Sequence, residues 1–312
     1  MKRKLYLIIP IIVLLLACEK EIIIDQGEYA PKVTLNCLLN PISDTIELTL
    51  SESRDMLYDK STFPPITGAN VTITDNGVNI GAFTELPDGK YILPYTVIPN
   101  HTYSIQVTNT KFNDVKATTI VPSPASLMAF NVELGSVENN LKANISVIFQ
   151  DEANVNNYYG FSFERIDTNK YESPPSYPGY EYHPPYPNRY FCSSDINIEY
   201  PEKDIEGDVC SDLILLTDLS FDGQQYQFNC SNSYYIYYNG NQNYDDTTFY
   251  TKIKLFLKTY NYDYYLYSLS LNLFKYNYGN PFAEPVRIYS NIEGGYGIFG
   301  SLNVAVDSIE FN

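Results

Sequence analysis

Apolar and polar residues alternate along most of this chain in short runs, and nearly every run ends at Gly, Pro, Asn or Asp. Val33-Thr34-Leu35-Asn36-Cys37-Leu38 and Thr45-Ile46-Glu47-Leu48-Thr49-Leu50 set the pattern. A period of two sends successive side chains to opposite faces, so such a run buries its apolar half only as a strand. Ala69 to Thr74 and Val78 to Phe83 are the next two, joined through Asp75-Asn76-Gly77. The Asn-Gly pair tolerates the positive φ values a tight hairpin demands. Asp88-Gly89 leads into Lys90 to Leu93, Pro99-Asn100-His101 into Thr102 to Val107, and Val115 to Val121 closes the series. About seven strands at this spacing predict an immunoglobulin-like β-sandwich over residues 31–122. Trp is absent, so the core lacks the Cys…Trp…Cys signature. Tyr103 suits a corner tyrosine and an ordinary core aromatic equally well.

Pro122-Ser123-Pro124 interrupts the alternation. Two close prolines restrict their own φ and the backbone before them, making a stiff junction. A second β-rich domain is expected over 126–312, with strands at Leu141 to Phe149, Tyr158 to Phe163, Leu213 to Thr217, Gln225 to Asn229, Tyr234 to Tyr238 and Phe249 to Lys258. The period then changes. Tyr262, Leu266, Leu269, Leu273 and Tyr276 recur at helical spacing, predicting a helix over about 261–277 that stops before Gly279-Asn280-Pro281. Final strands are expected at Val286 to Tyr289 and Leu302 to Phe311. The fold class is therefore all-β with one helix.

The amino end reads differently. Lys2, Arg3 and Lys4 precede an apolar run from Leu5 to Leu16, followed by Ala17 and Cys18. A basic start, a run too short for a bilayer core that needs about 20 residues, and a small residue before the cut form a secretory signal. Cys18 after Leu15-Leu16-Ala17 makes it a lipobox: residues 1–17 are a signal peptide, and 18–30 an acylated terminus and linker. Several acyl chains at about 0.8 kcal/mol per buried methylene hold a protein stably on a membrane. Cys18-Glu19-Lys20-Glu21 is similar to a surface-export tag, and a solvated linker explains the same charges.

The formal charge is −17, and cleavage before Cys18 removes three basic residues and no acid, deepening it to −20. That balance argues against nucleic acid or an anionic lipid surface as a partner for a basic patch. Cys37, Cys192, Cys210 and Cys230 remain after Cys18 is assigned to lipid. The envelope permits disulfides. Cys192 and Cys210 flank one polar excursion and are the favoured pair; Cys37 reads as a small buried hydrophobe.

Motifs for chemistry are few. Gly295-Tyr296-Gly297-Ile298-Phe299-Gly300 has the letters of a dinucleotide fingerprint, yet twelve residues with strand character follow where a helix is needed. Gly294, Gly295, Gly297 and Gly300 read instead as a turn or bulge where backbone meets backbone. GxSxG, HExxH and P-loop patterns are absent, and the two histidines are His101, in a turn, and His183. Asp218 to Asp222 and Asp245-Asp246 have the oxygen ligands for calcium without an EF-hand spacing, and solvated loops explain them better. No metal or cofactor is expected. Tyr171 to Tyr190 carries six prolines and six tyrosines, which excludes a central strand. Its Tyr177, Tyr180, Tyr182, His183, Tyr186 and Tyr190 are the candidate ligand or partner contacts, weighed against rings packed on the loop's own prolines.

The lipobox with Cys18-Glu19-Lys20-Glu21, then Gly68-Ala69-Asn70-Val71-Thr72-Ile73 and Asp88-Gly89-Lys90-Tyr91, resembles a Bacteroidota lipoprotein family described as domain of unknown function 4249. So do Asp151 with the tyrosine pair ending at Tyr159, and the segment Asn291 to Gly300. The Tyr/Pro loop and the lack of Trp depart from it. The resemblance implies a cell-surface, outer-membrane lipoprotein accessory to a TonB-dependent receptor in ligand or nutrient capture, with no catalytic residues. A surface adhesin contacting matrix through the tyrosine loop is the alternative, and an extracellular hydrolase with paired carboxylates is a third.

Overall fold

The computed structural model describes residues 29–54, 63–109, 111–137, 140–166, 191–199, 209–235, 252–280 and 282–311. The first strands are β1 (Val33–Leu39), β2 (Thr45–Glu52), β3 (Asn70–Asp75), β4 (Val78–Ala82), β5 (Thr84–Leu86), β6 (Lys90–Pro94), β7 (Thr102–Thr108) and β8 (Val115–Ile120). There follow β9 (Ser126–Val137), β10 (Asn140–Gln150), β11 (Tyr158–Ile166), β12 (Phe191–Ser193), β13 (Val209–Ser211), β14 (Ile214–Thr217), β15 (Gln225–Tyr235) and β16 (Lys252–Tyr260). Helix α1 (Tyr262–Asn277) and β17 (Tyr296–Glu310) complete the chain. The protein is mostly β with one helix among the described residues.

Among the described residues three sheets result, ordered β14-β11-β16-β17-β1-β2-β6-β5, β13-β12-β15-β10-β9 and β4-β3-β7-β8. Alternation in the sequence becomes alternation of burial. On β1, Val33, Leu35, Cys37 and Leu39 face inward while Asn36 and Leu38 face out. Those inward residues meet Val71, Ile73, Ile105 and Val107 of the small sheet in one apolar core. Each fully buried Leu or Ile there contributes about 1.5–3 kcal/mol relative to exposure. A second core forms where β11 and β16 face β10 and β15, through Phe149, Phe161, Phe228, Leu255 and Leu257.

The two cores are joined through the last strand. β17 pairs in parallel with β1 from Thr34↔Tyr296 to Leu39↔Ser301, and antiparallel with β16 from Tyr260↔Leu302 to Lys252↔Glu310. One strand thus serves both halves, and the eight-stranded sheet crosses the Pro122–Pro124 junction without a break. The first core contains Ile292 and Phe299 from the far end of the chain. The seven-strand unit read over 31–122 is completed by residues drawn into the later domain. Ser301 fastens the seam: its Oγ donates to the Ile120 carbonyl at 2.7 Å and shares a 3.0 Å hydrogen bond with Thr119.

Residues 286–289, expected as a strand, are irregular, and the final strand starts at Tyr296 rather than Leu302. The reason lies in β17's two partners, which need more length than the apolar run from Leu302 alone indicates. Helix α1 lies over the outer face of this sheet. Asn261 caps it, its Oδ1 accepting from the N–H of Tyr264 at 3.2 Å and of Ser301 at 3.0 Å. The buried stripe is turned slightly from the expected one: Tyr265 and Ser268 are buried, Leu266 and Leu269 pack partly buried against the same cluster, and Tyr262 and Tyr276 are exposed. Tyr265 seats against Tyr158 at 4.6 Å, and small Ser268 lets the helix approach.

Candidate functional site

A cavity of about 250 Å³ opens where the proline junction passes the second core. It is lined by Ser123 to Ser126, Gln150, Asp151, Glu152, Asn157, Tyr159 and Thr259. β10 ends at Gln150, and the loop 151–157 turns back through Asn154 at φ 63° into β11. Asp151 is therefore placed by the end of one strand, Tyr159 by the start of the next.

The loop 218–224 approaches from the other side. Asp151, Asp218 and Asp222 bring a carboxylate oxygen each within 4.8 Å of one another, the first two buried and the third exposed. Donors hold all three. Asp151 accepts from Tyr159 Oη at 2.6 Å, Asn157 Nδ2 at 3.3 Å and the Gly223 N–H at 2.7 Å. Asp218 accepts from the Asn157 N–H at 2.7 Å, and Asp222 from the Asn154 N–H at 2.8 Å. No cationic side chain among the described residues lies within ion-pair distance of the cluster. Burial raises the Asp218 carboxyl above the ordinary range; the Asn157 N–H opposes this and the charge of Asp151 adds to it.

A second polar constellation lies in the first half. Asp75, at the end of β3, takes Tyr95 Oη at 2.7 Å, Tyr103 Oη at 3.0 Å and His101 Nδ1 at 2.7 Å. Burial alone would raise its carboxyl, but the hydrogen bonds from Tyr95, His101 and Tyr103 prevail and lower it. Tyr103 is fully buried and its hydroxyl also accepts from the Ile98 N–H at 2.8 Å. His101 is thus a partner of a buried acid, a role the turn reading did not anticipate.

The glycine segment is architecture. Gly294 and Gly297 adopt φ of 82° and 100°. A Cβ on Gly295 or Gly297 would strike the carbonyl oxygens of Val33 and Leu35 on β1, and one on Gly300 would lie 2.7 Å from Tyr264 Cβ of α1. Asn291 brackets the segment: its Oδ1 accepts from the Phe299 N–H at 3.0 Å and its Nδ2 donates to the Phe299 carbonyl at 2.8 Å. Cys192 and Cys210 are disulfide-bonded across β12 and β13. Cys37 and Cys230 are buried free thiols, both pushed up by burial, Cys37 to about 12. Cys18 and the tyrosine-loop residues Tyr177, Tyr180, Tyr182, His183, Tyr186 and Tyr190 lie outside the described residues.

Fold and site together define a β-rich protein with two cores sharing one strand and a polar cavity at their junction. The chain belongs to the family described as a domain of unknown function, DUF4249, whose model matches residues 19–308. Among solved structures it is similar to a protein of Corynebacterium diphtheriae described as membrane anchored, at 13% identity and a TM-score of 0.21. That match covers 76% of this chain and 56% of the other. No curated protein matches. Among the described residues no helix is long and apolar enough to cross a membrane.

Proposed function

We propose that this chain is a non-enzymatic lipoprotein of an outer membrane, held at the cell surface by acylated Cys18, that assists a TonB-dependent receptor in capturing a ligand or nutrient. The observation that carries the reading is Leu15-Leu16-Ala17-Cys18 behind a basic, apolar leader. Support comes from the family match, which begins at Glu19, directly after the cysteine. The shared strand β17 supports it further, since a body whose halves share a sheet can transmit a partner's pull to its anchor. Solubilising source membranes in mild detergent and purifying the full chain tests this. A receptor of the TonB-dependent class is expected in the eluate, and a lipoprotein recovered without one contradicts the proposal.

A further inference from the structure

The carboxylates of Asp151, Asp218 and Asp222 converge from two loops that owe their geometry to separate strands. Asp151 and Asp218 are each 3% exposed, and no Lys, Arg or His among the described residues neutralises them. Three carboxylates this close, two of them buried and with no cation beside them, favour a positive ion among them.

An independent feature points to a ligand. Thr259 is register-paired with Tyr159, so the two side chains leave the sheet on one face and line the cavity that Asp151 also lines. Thr259 is 3% exposed, and its Oγ1 has no hydrogen-bond partner among the described residues. A buried hydroxyl in that state carries a desolvation cost until something entering the cavity bonds to it. Tyr159, its neighbour, already spends its own hydroxyl on Asp151.

We propose that Asp151, Asp218 and Asp222 bind a divalent cation of the calcium class, whose coordinated water reaches the Thr259 hydroxyl through the cavity. The donor set is all oxygen, with neither His nor Cys in the cluster, which suits a hard cation and not zinc. Calcium is favoured over magnesium because it accepts irregular oxygen cages, whereas magnesium demands a near-ideal octahedron. Bound there, the ion ties the loop after β10 to the loop after β14, beside the junction of the two halves.

The test uses the full chain in detergent, stripped with a chelator and titrated with calcium, then with terbium. The protein has 31 Tyr and no Trp, so terbium emission is excited through tyrosine, and the part of it lost in Asp222→Asn is what reports an ion at the cluster beside Tyr159. Calcium is expected to raise the melting temperature and to quench terbium emission by competition. Asp222→Asn keeps an acceptor for the Asn154 N–H and should melt as the parent does in chelator, yet bind calcium at least roughly tenfold more weakly because one ligand charge is gone. Glu47→Gln, which removes an exposed carboxylate of β2 remote from the cluster, should bind as the parent does. Folded protein that gives neither a thermal shift nor terbium emission at millimolar ion, or Asp222→Asn binding as tightly as the parent, overturns the proposal.

Discussion

Gly297 of β17 and Leu35 of β1 are register partners in a parallel pairing, so close that a Cβ on the glycine would strike the leucine carbonyl. This contact joins the two cores, and it requires a residue with neither side chain nor objection to φ 100°.

Gly297→Ala is therefore expected to destabilise the protein by about 3 kcal/mol or more, through strain plus lost strand pairing. Gly77→Ala is the comparison. Gly77 also has positive φ, but nothing lies within 4 Å of its would-be Cβ, so its cost should stay near 1 kcal/mol. Urea unfolding of both measures the difference; equal costs would mean the seam yields.

Asp75 predicts a particular acid response. Its folded value is lowered, so its contribution is present above the unfolded value of about 3.9 and is lost as pH falls through the folded one. Asp75→Asn should cost about 2–3 kcal/mol at neutral pH, and the gap from the parent should close in acid. Tyr103→Phe, which removes one donor and strands the Ile98 N–H, should cost about 1–2 kcal/mol. Denaturant titrations across pH check both.

Asp218 has the opposite sign. A carboxyl raised in the folded state binds its proton more tightly there, so in chelator the protein should gain stability as pH falls through that raised value. Asp218→Asn keeps an acceptor for Asn157 N–H and should lack this gain. Melting curves in chelator between neutral pH and the ordinary carboxylate range separate the two.

The Cys192–Cys210 bridge spans 18 positions, a loop length for which the chain-entropy model gives about 3 kcal/mol. Replacing both by Ser should cost that much by urea unfolding. The native protein should meanwhile show no thiol reactive to a bulky reagent at Cys37 or Cys230, since both are buried and pushed up.

Much of the fold was legible because it is local. Asn76-Gly77 turns β3 into β4, and the period change after Tyr260 marks α1. The Cys192–Cys210 pair was legible for the same reason. What escaped was set by register between distant segments. Nothing near Tyr296 announces that β17 will lie beside β1, and the glycines hinted only at close backbones. The acid cluster escaped likewise: Asp218 and Asp222 read as a solvated loop, because the third carboxylate, Asp151, comes from another turn. His101 read as a turn residue, since its partner Asp75 is brought to it by the pairing of β3 with β7. The stripe on α1 was legible in Leu266 and Leu269, which pack on the sheet, and missed Tyr265 and Ser268 because these are not strongly apolar, yet a tyrosine-rich sheet face accepts them.

The most direct test of the account is metabolic labelling with radioactive palmitate, followed by fractionation, of the parent and of Cys18→Ser. The parent should carry label and sediment with outer membranes, while the variant should lose both label and membrane attachment. A variant that stays on the membrane as firmly as the parent would contradict the lipid anchor on which the functional reading stands.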